Sequence, residues 1–176
     1  MKAWKTWAMG TVLALGLAGL MFAAATATQT VTMQIASISV LATTGNPATL
    51  AVSAPGTAGA TPANPTSNST YAQYTSTVAA GITRRLQANW GASDAAPAGC
   101  ALQLTALPGS GQGTGAPQIT MTATAQNIVT AIGSCATGTT ATSGAQLTYV
   151  LAINSMTSLV AGDNHTVTIT LTLTDS

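Results

Sequence analysis

The sequence predicts an all-β protein, a sandwich of about seven to nine antiparallel strands, and three observations carry that expectation. Beyond the first 27 residues, apolar side chains recur at every second position and nowhere repeat convincingly at helical spacing. Clusters of Gly, Pro and small polar residues interrupt these stretches at strand-length intervals. Threonine fills the positions between the apolar ones, where its β-branched side chain suits a pleated backbone and its hydroxyl keeps a face wet without charge.

From the N-terminus, Lys2 and Lys5 precede an apolar run from Val12 to Phe22, and Ala25-Thr26-Ala27 obeys the small-x-small rule for cleavage. Residues 1–27 therefore read as a signal peptide, with Thr28 as the first mature residue. The apolar run is about 11 residues long against about 20 for a membrane-spanning helix, so no permanent membrane anchor is expected. Residues 28–42 form an arm in which Val31, Met33 and Ile35 alternate with Thr30, Thr32 and Gln34. Ile38 and Val40 continue in the opposite phase, which asks for a bulge or kink near Ala36 and Ser37.

Residues 48–53 and 71–77 read as short strands on either side of a surface loop, residues 54–68, broken by Pro55, Gly56, Gly59, Pro62 and Pro65. Ile82, Leu86, Ala88 and Trp90 share one strand face, but Arg84 falls in their phase. Either its side chain snorkels at the sheet margin or a bulge shifts the register. Leu102 and Leu104 mark a strand beside Cys100, and Ile119, Met121 and Ala123 another, with a Gly/Pro turn region at 108–117 between them. Residues 128–132 fit a strand or a single helical turn equally, and residues 136–145 read as a Thr/Gly-rich loop. The clearest strands come last: Leu147, Tyr149, Leu151 and Ile153, then Val167, Ile169, Leu171 and Leu173 interleaved with a threonine ladder from Thr166 to Thr174. No break separates two cores, so residues 28–176 are expected to form one domain.

Charge is nearly absent. After the signal the chain keeps Arg84 and Arg85 against Asp94, Asp163 and Asp175, a formal charge of −1, with no lysine or glutamate. That composition offers no basic face for a phosphate backbone and excludes nucleic acid as a partner. It also removes the mutual repulsion that keeps small proteins apart, which favours self-association. In an exported chain the two cysteines read as one disulfide, Cys100 to Cys135, worth roughly 3 to 4 kcal/mol for a loop of that length. A pair of free buried thiols is the alternative.

Catalytic chemistry has little to work with. Asp163-Asn164-His165 is the one cluster of ionisable groups, and a turn into the last strand explains it better than a serine-hydrolase relay. A zinc site from His165, Cys100 and Cys135 would compete with the disulfide, and the three aspartates are too scattered for a strong calcium site. The chain is therefore expected to be no enzyme, with no cofactor and no metal. Asn68-Ser69-Thr70 and Asn164-His165-Thr166 match the glycosylation acceptor pattern, which arises readily by chance in a Thr-rich chain. Trp90, Tyr71 and Tyr74 have two readings, as core aromatics or as stacking platforms for a sugar.

The arm Thr28-Gln29-Thr30-Val31-Thr32-Met33, the segment Ser69 to Ser76, and the pair Leu147-Thr148-Tyr149 and Val167 to Thr172 together resemble bacterial secreted fimbrial-type, pilin-like subunits with an Ig-like β-sandwich. The resemblance implies a structural subunit of a surface or extracellular filament that self-associates by β-strand addition. On that basis Val31, Met33, Ile35, Ile38 and Val40 are the candidate linking residues, and a second copy of the chain is the expected partner. An arm that pairs within its own domain is the competing fate. The alternative function is a monomeric secreted adhesin or carbohydrate-binding module with a surface glycan as partner. The expected location is the periplasm, cell surface or an extracellular filament.

Overall fold

The computed structural model describes residues 27–176, so the signal-peptide reading of residues 1–27 lies, but for Ala27, outside them. Residues 35–176 form one unit; of the other, the described residues 27–34 carry no strand. Ten strands follow in order: β1 Ile38–Thr43, β2 Thr66–Thr77, β3 Arg84–Trp90, β4 Cys100–Leu107, β5 Thr114–Gly115, β6 Ile119–Thr120, β7 Gln126–Ile132, β8 Cys135–Ala136, β9 Ala145–Ile153 and β10 Ile169–Asp175. Among the described residues the one helical element is a 3-10 turn, Met156–Ser158. Seven strands have six residues or more and three are two-residue ladders; the expected seven to nine included residues 48–53, which form no strand, and Ile119 to Ala123, which shortens to a two-residue ladder.

The strands build two antiparallel sheets. One has the order β1-β2-β9-β4-β6, with β8 also paired to β2, and the other runs β10-β3-β7-β5. Their inner faces follow from the alternation in the sequence. Leu102, Leu104 and Ala106 of β4 and Ala145, Leu147, Tyr149 and Leu151 of β9 turn inward from the first sheet, against Leu86 and Ala88 of β3 and Ile128, Val129 and Ile132 of β7 from the second. Each fully buried side chain of this size stabilises the fold by roughly 1.5 to 3 kcal/mol relative to exposure.

Three segments depart from strict alternation, each for a local reason. In β7 the buried residues are Ile128, Val129 and Ile132, a spacing that imitates a helical turn. The pairing with β3 slips twice, between Arg84 and Leu86 and between Leu86 and Gln87, and Ala131 takes a φ of 54°. Two bulges thus let a strand bury adjacent residues. In β2 a register shift between Ser67 and Thr70 separates two buried residues by three positions, after which strict alternation resumes. Residues 48–53, expected to be a strand, form none. Thr44 and Ala48 instead bond the unpaired flank of β2, the first by its amide to Tyr71 O (3.1 Å) and the second by its amide to Ser67 Oγ (3.0 Å).

Arg84 neither snorkels nor breaks the phase of its own strand. It lies inward at 5 % exposure, and its guanidinium joins the two sheets. Nε donates to Asp175 Oδ1 at 2.8 Å, Nη2 to Ser37 Oγ at 2.8 Å, and Nη1 to Ser76 Oγ at 3.3 Å and to the Ile38 carbonyl. Ser37 Oγ in turn donates to Thr77 O at 3.2 Å. A planar cation with five donors is suited to such a mixed set of acceptors.

Arg84→Ala strips donors from buried Ser76 and the Ile38 carbonyl and should cost about 3 kcal/mol. Asp175→Asn should cost under about 1 kcal/mol, because the carboxylate is 72 % exposed and screened by solvent. Urea unfolding midpoints of the two variants beside the parent check both values.

Candidate functional site

Disulfide formation is excluded by register, and both cysteines are free. Cys100 opposes Ile153 at the end of β9, whereas Cys135 opposes Ser76 near the end of β2. Because Val150 of β9 opposes Thr66 at the other end of β2, the two thiols sit at opposite poles of the first sheet. At the usual strand rise that is roughly 35 to 40 Å. A disulfide needs Cα atoms within about 7 Å. The expected Cys100–Cys135 bond is therefore corrected to two separate half-buried thiols, the alternative weighed from the sequence.

At the Cys100 pole side chains of both sheets line an open groove of about 1120 Å³. Its walls are Leu102 of β4 with Tyr149 and Leu151 of β9 on one side, and Trp90 of β3 with Ile169 and Leu171 of β10 on the other. Residues 43–52, which include half-buried Leu50, and residues 156–169 border it. Trp90 packs partly against the core and partly lines the groove. Tyr74 and Tyr149 are buried core aromatics. Tyr71 is half-buried, with its hydroxyl bonded to Gln146 Nε2 at 3.1 Å.

The Asp163–His165 cluster borders the same groove. His165 Nε2 lies 2.9 Å from Asp163 Oδ1, and the expected turn, around Gly162, is the reason: Asp163 N bonds Val160 O and Asn164 Nδ2 bonds Gly162 O. The other ring nitrogen faces Ala95 O at 2.9 Å, so no hydroxyl nucleophile occupies the relay position. Asp163 Oδ2 also accepts from Ala98 N, and Asp94 Oδ2 accepts from Gly91 N and Thr168 N, each of the latter at 3.0 Å. These carboxylates pin the loops beside the groove. Among the described residues no group of three or more His, Cys, Asp or Glu side chains could hold a metal ion.

The five predicted linking residues separate into two sets. Ile38 and Val40 belong to β1 and pair in the chain's own sheet, opposite Thr77 and Thr75, with their side chains on its outer face. Val31, Met33 and Ile35 are in no strand and are 69, 88 and 85 % exposed. The kink expected near Ala36 and Ser37 falls where β1 begins, and Ser37 is the residue that Arg84 holds. The sequence did not reveal the groove, because its walls come from four strands brought together only by the sheets' pairing.

Burial raises both thiols above the ordinary range, and the Asp163 charge adds to the effect at Cys100. Mass mapping should find two free thiols, and native-state alkylation should stay slow until the pH exceeds ordinary thiol values. A Cys100–Cys135 cross-linked peptide would contradict the register.

Burial also pushes the Tyr149 phenol up to about 12, and the Tyr74 phenol is raised further by burial and then by Cys135. Both phenols stay neutral in the fold at pH values where the unfolded chain ionises, near pH 10. Stability present below about pH 10 should fall as the pH rises through about 12, measured as a declining urea midpoint.

No helix among the described residues is long and apolar enough to cross a membrane. Compared with known proteins, the chain matches no family model, no curated protein and no solved structure.

Proposed function

We propose that the protein is a structural subunit of a bacterial surface or extracellular filament, an Ig-like, fimbrial-type sandwich that self-associates by β-strand addition. The observation that carries this reading is the arm: Val31, Met33 and Ile35 alternate with polar residues, stand exposed and have no strand partner. An extended segment with three exposed apolar side chains on one face gains by adding to a sheet elsewhere, and each side chain buried contributes roughly 1.5 to 3 kcal/mol. The near absence of charge, and export by the predicted signal, support the same reading.

Trp90 in the groove wall supports the second reading, a secreted adhesin or carbohydrate-binding module. The first is preferred because the groove is bordered mainly by aliphatic side chains and the chain itself presents an exposed segment of alternating apolar residues. Neither reading assigns catalysis, a cofactor or nucleic acid.

Negative-stain microscopy of the native protein should find filaments, and Met33→Asp should abolish them because it places an unpaired charge at the subunit junction, a cost of several kcal/mol. The variant's melting temperature should match that of the unassembled parent, since Met33 is 88 % exposed. A parent that stays monomeric at high concentration would shift the function to the glycan-binding reading.

A further inference from the structure

We propose that the groove lined by β3, β4, β9 and β10 is a binding site for an uncharged amphiphile, a single hydrocarbon chain with a hydroxyl-bearing head, of the monoacylglycerol class. The site is independent of the arm, and its test does not require self-association.

The walls define the body of the ligand. Leu102 and Leu151 on one side and Ile169 and Leu171 on the other present aliphatic surface along the groove. At about 1120 Å³ it stands at the upper end of the sizes that hold small molecules, and its open side admits a chain. Val52, Met156 and Val160 on its border are 38, 44 and 65 % exposed. An apolar patch that continues into an apolar groove marks a place where apolar matter binds.

The polar groups at the mouth define the head. Both ring nitrogens of His165 face oxygens, Asp163 Oδ1 and Ala95 O, each at 2.9 Å, so the ring has no free nitrogen for a ligand. Asn164 Nδ2 is held by Gly162 O at 3.1 Å. Each oxygen of the Asp163 carboxylate has one partner, His165 for Oδ1 and Ala98 N for Oδ2, and each keeps lone-pair capacity. A mouth with acceptors to spare suits a hydroxyl donor.

Charge excludes an acid from that place. No lysine or arginine lines the groove, and Arg84 and Arg85 stand at the far end of β3, roughly 17 to 20 Å from Trp90. Asp163, and Asp94 through its bond to Thr168 N, put two carboxylates at the border. A fatty acid or a phosphate head would add negative charge with no cation to neutralise it. An ammonium head would lose its hydration for a carboxylate already engaged by His165 and Ala98, a larger penalty than a hydroxyl meets. A sugar would set many hydroxyls against aliphatic walls without partners.

Trp90 reports on the site, because with Trp4→Phe and Trp7→Phe it is the one tryptophan of the full chain. Titrating that protein with monodecanoylglycerol, kept below its micelle concentration, should shift Trp90 emission to the blue and saturate. The eight-carbon homologue should bind roughly tenfold more weakly, since each CH₂ withdrawn from water changes affinity about fourfold. Decanoate should also bind at least about tenfold more weakly than the neutral lipid. Leu50→Asp, in the loop beside the groove, should abolish the shift, while Val40→Asp on the outer face of β1 should preserve it, with thermal unfolding confirming that both variants fold. No shift in the parent, an affinity indifferent to chain length, or a shift that survives Leu50→Asp would overturn the site. Decanoate or decylammonium binding as tightly as the neutral lipid would overturn the head assignment. A Trp90 shift that tracks protein concentration without lipid would make a second copy the occupant and overturn the proposal as well.

Discussion

The guanidinium of Arg84 is the contact on which the rest of the arrangement depends. It is one of two cations in the described chain, and it is spent inside the protein, where burying a charge is costly unless every donor finds an acceptor. Its acceptors come from four places: Asp175 at the end of β10, Ser76 in β2, the Ile38 carbonyl at the start of β1, and Ser37 before it. One side chain therefore fixes the distance between the two sheets at one pole and the point at which the N-terminal segment joins the fold. The Ser176 amide, bonded to Thr83 O at 3.0 Å, holds the C-terminus at the same place.

The groove lies at the other pole. Around Trp90, Tyr149 and Leu171 no charged pair among the described residues ties the sheets together, and the loops that border the opening are held by Asp94 and Asp163 instead. Their carboxylates satisfy backbone amides, as acidic side chains commonly do at turns. Arg84, Asp94, Asp163 and Asp175 are thus used as structural clips, and the outer surface carries little charge beside its threonines, serines and exposed apolar side chains. Such a surface has little electrostatic repulsion and two long unpaired strand edges, a combination that favours association through main-chain hydrogen bonds.

Much of the fold was legible because the strands carry their own alternation. Residues 147–153 and the last strand appear with apolar and polar faces assigned correctly, since a period of two has one interpretation when one face is buried, although the last strand, read from Thr166, begins at Ile169. Residues 128–132 were ambiguous for a physical reason, because two bulges in β7 bury neighbours in sequence and mimic helical spacing. Residues 48–53 misled because their alternation, Leu50 and Val52 between small residues, serves a loop edge, with Leu50 half-buried beside the groove. The disulfide was an inference from cysteine count and compartment, and neither contains the distance between two strands' ends.

By itself the sequence determined that the protein is all-β, nearly uncharged and poor in catalytic groups, because these are properties of composition and of side-chain period. It also marked Val31, Met33 and Ile35 as an apolar row, since alternation is visible without a fold. Only the tertiary structure decided which edges stay unpaired, that Arg84 ties the sheets together, that Cys100 and Cys135 lie at opposite poles, and that an apolar groove opens between β9 and β10. Those outcomes depend on which strands become neighbours and in what register, and hydrogen bonds between residues distant in the chain set both.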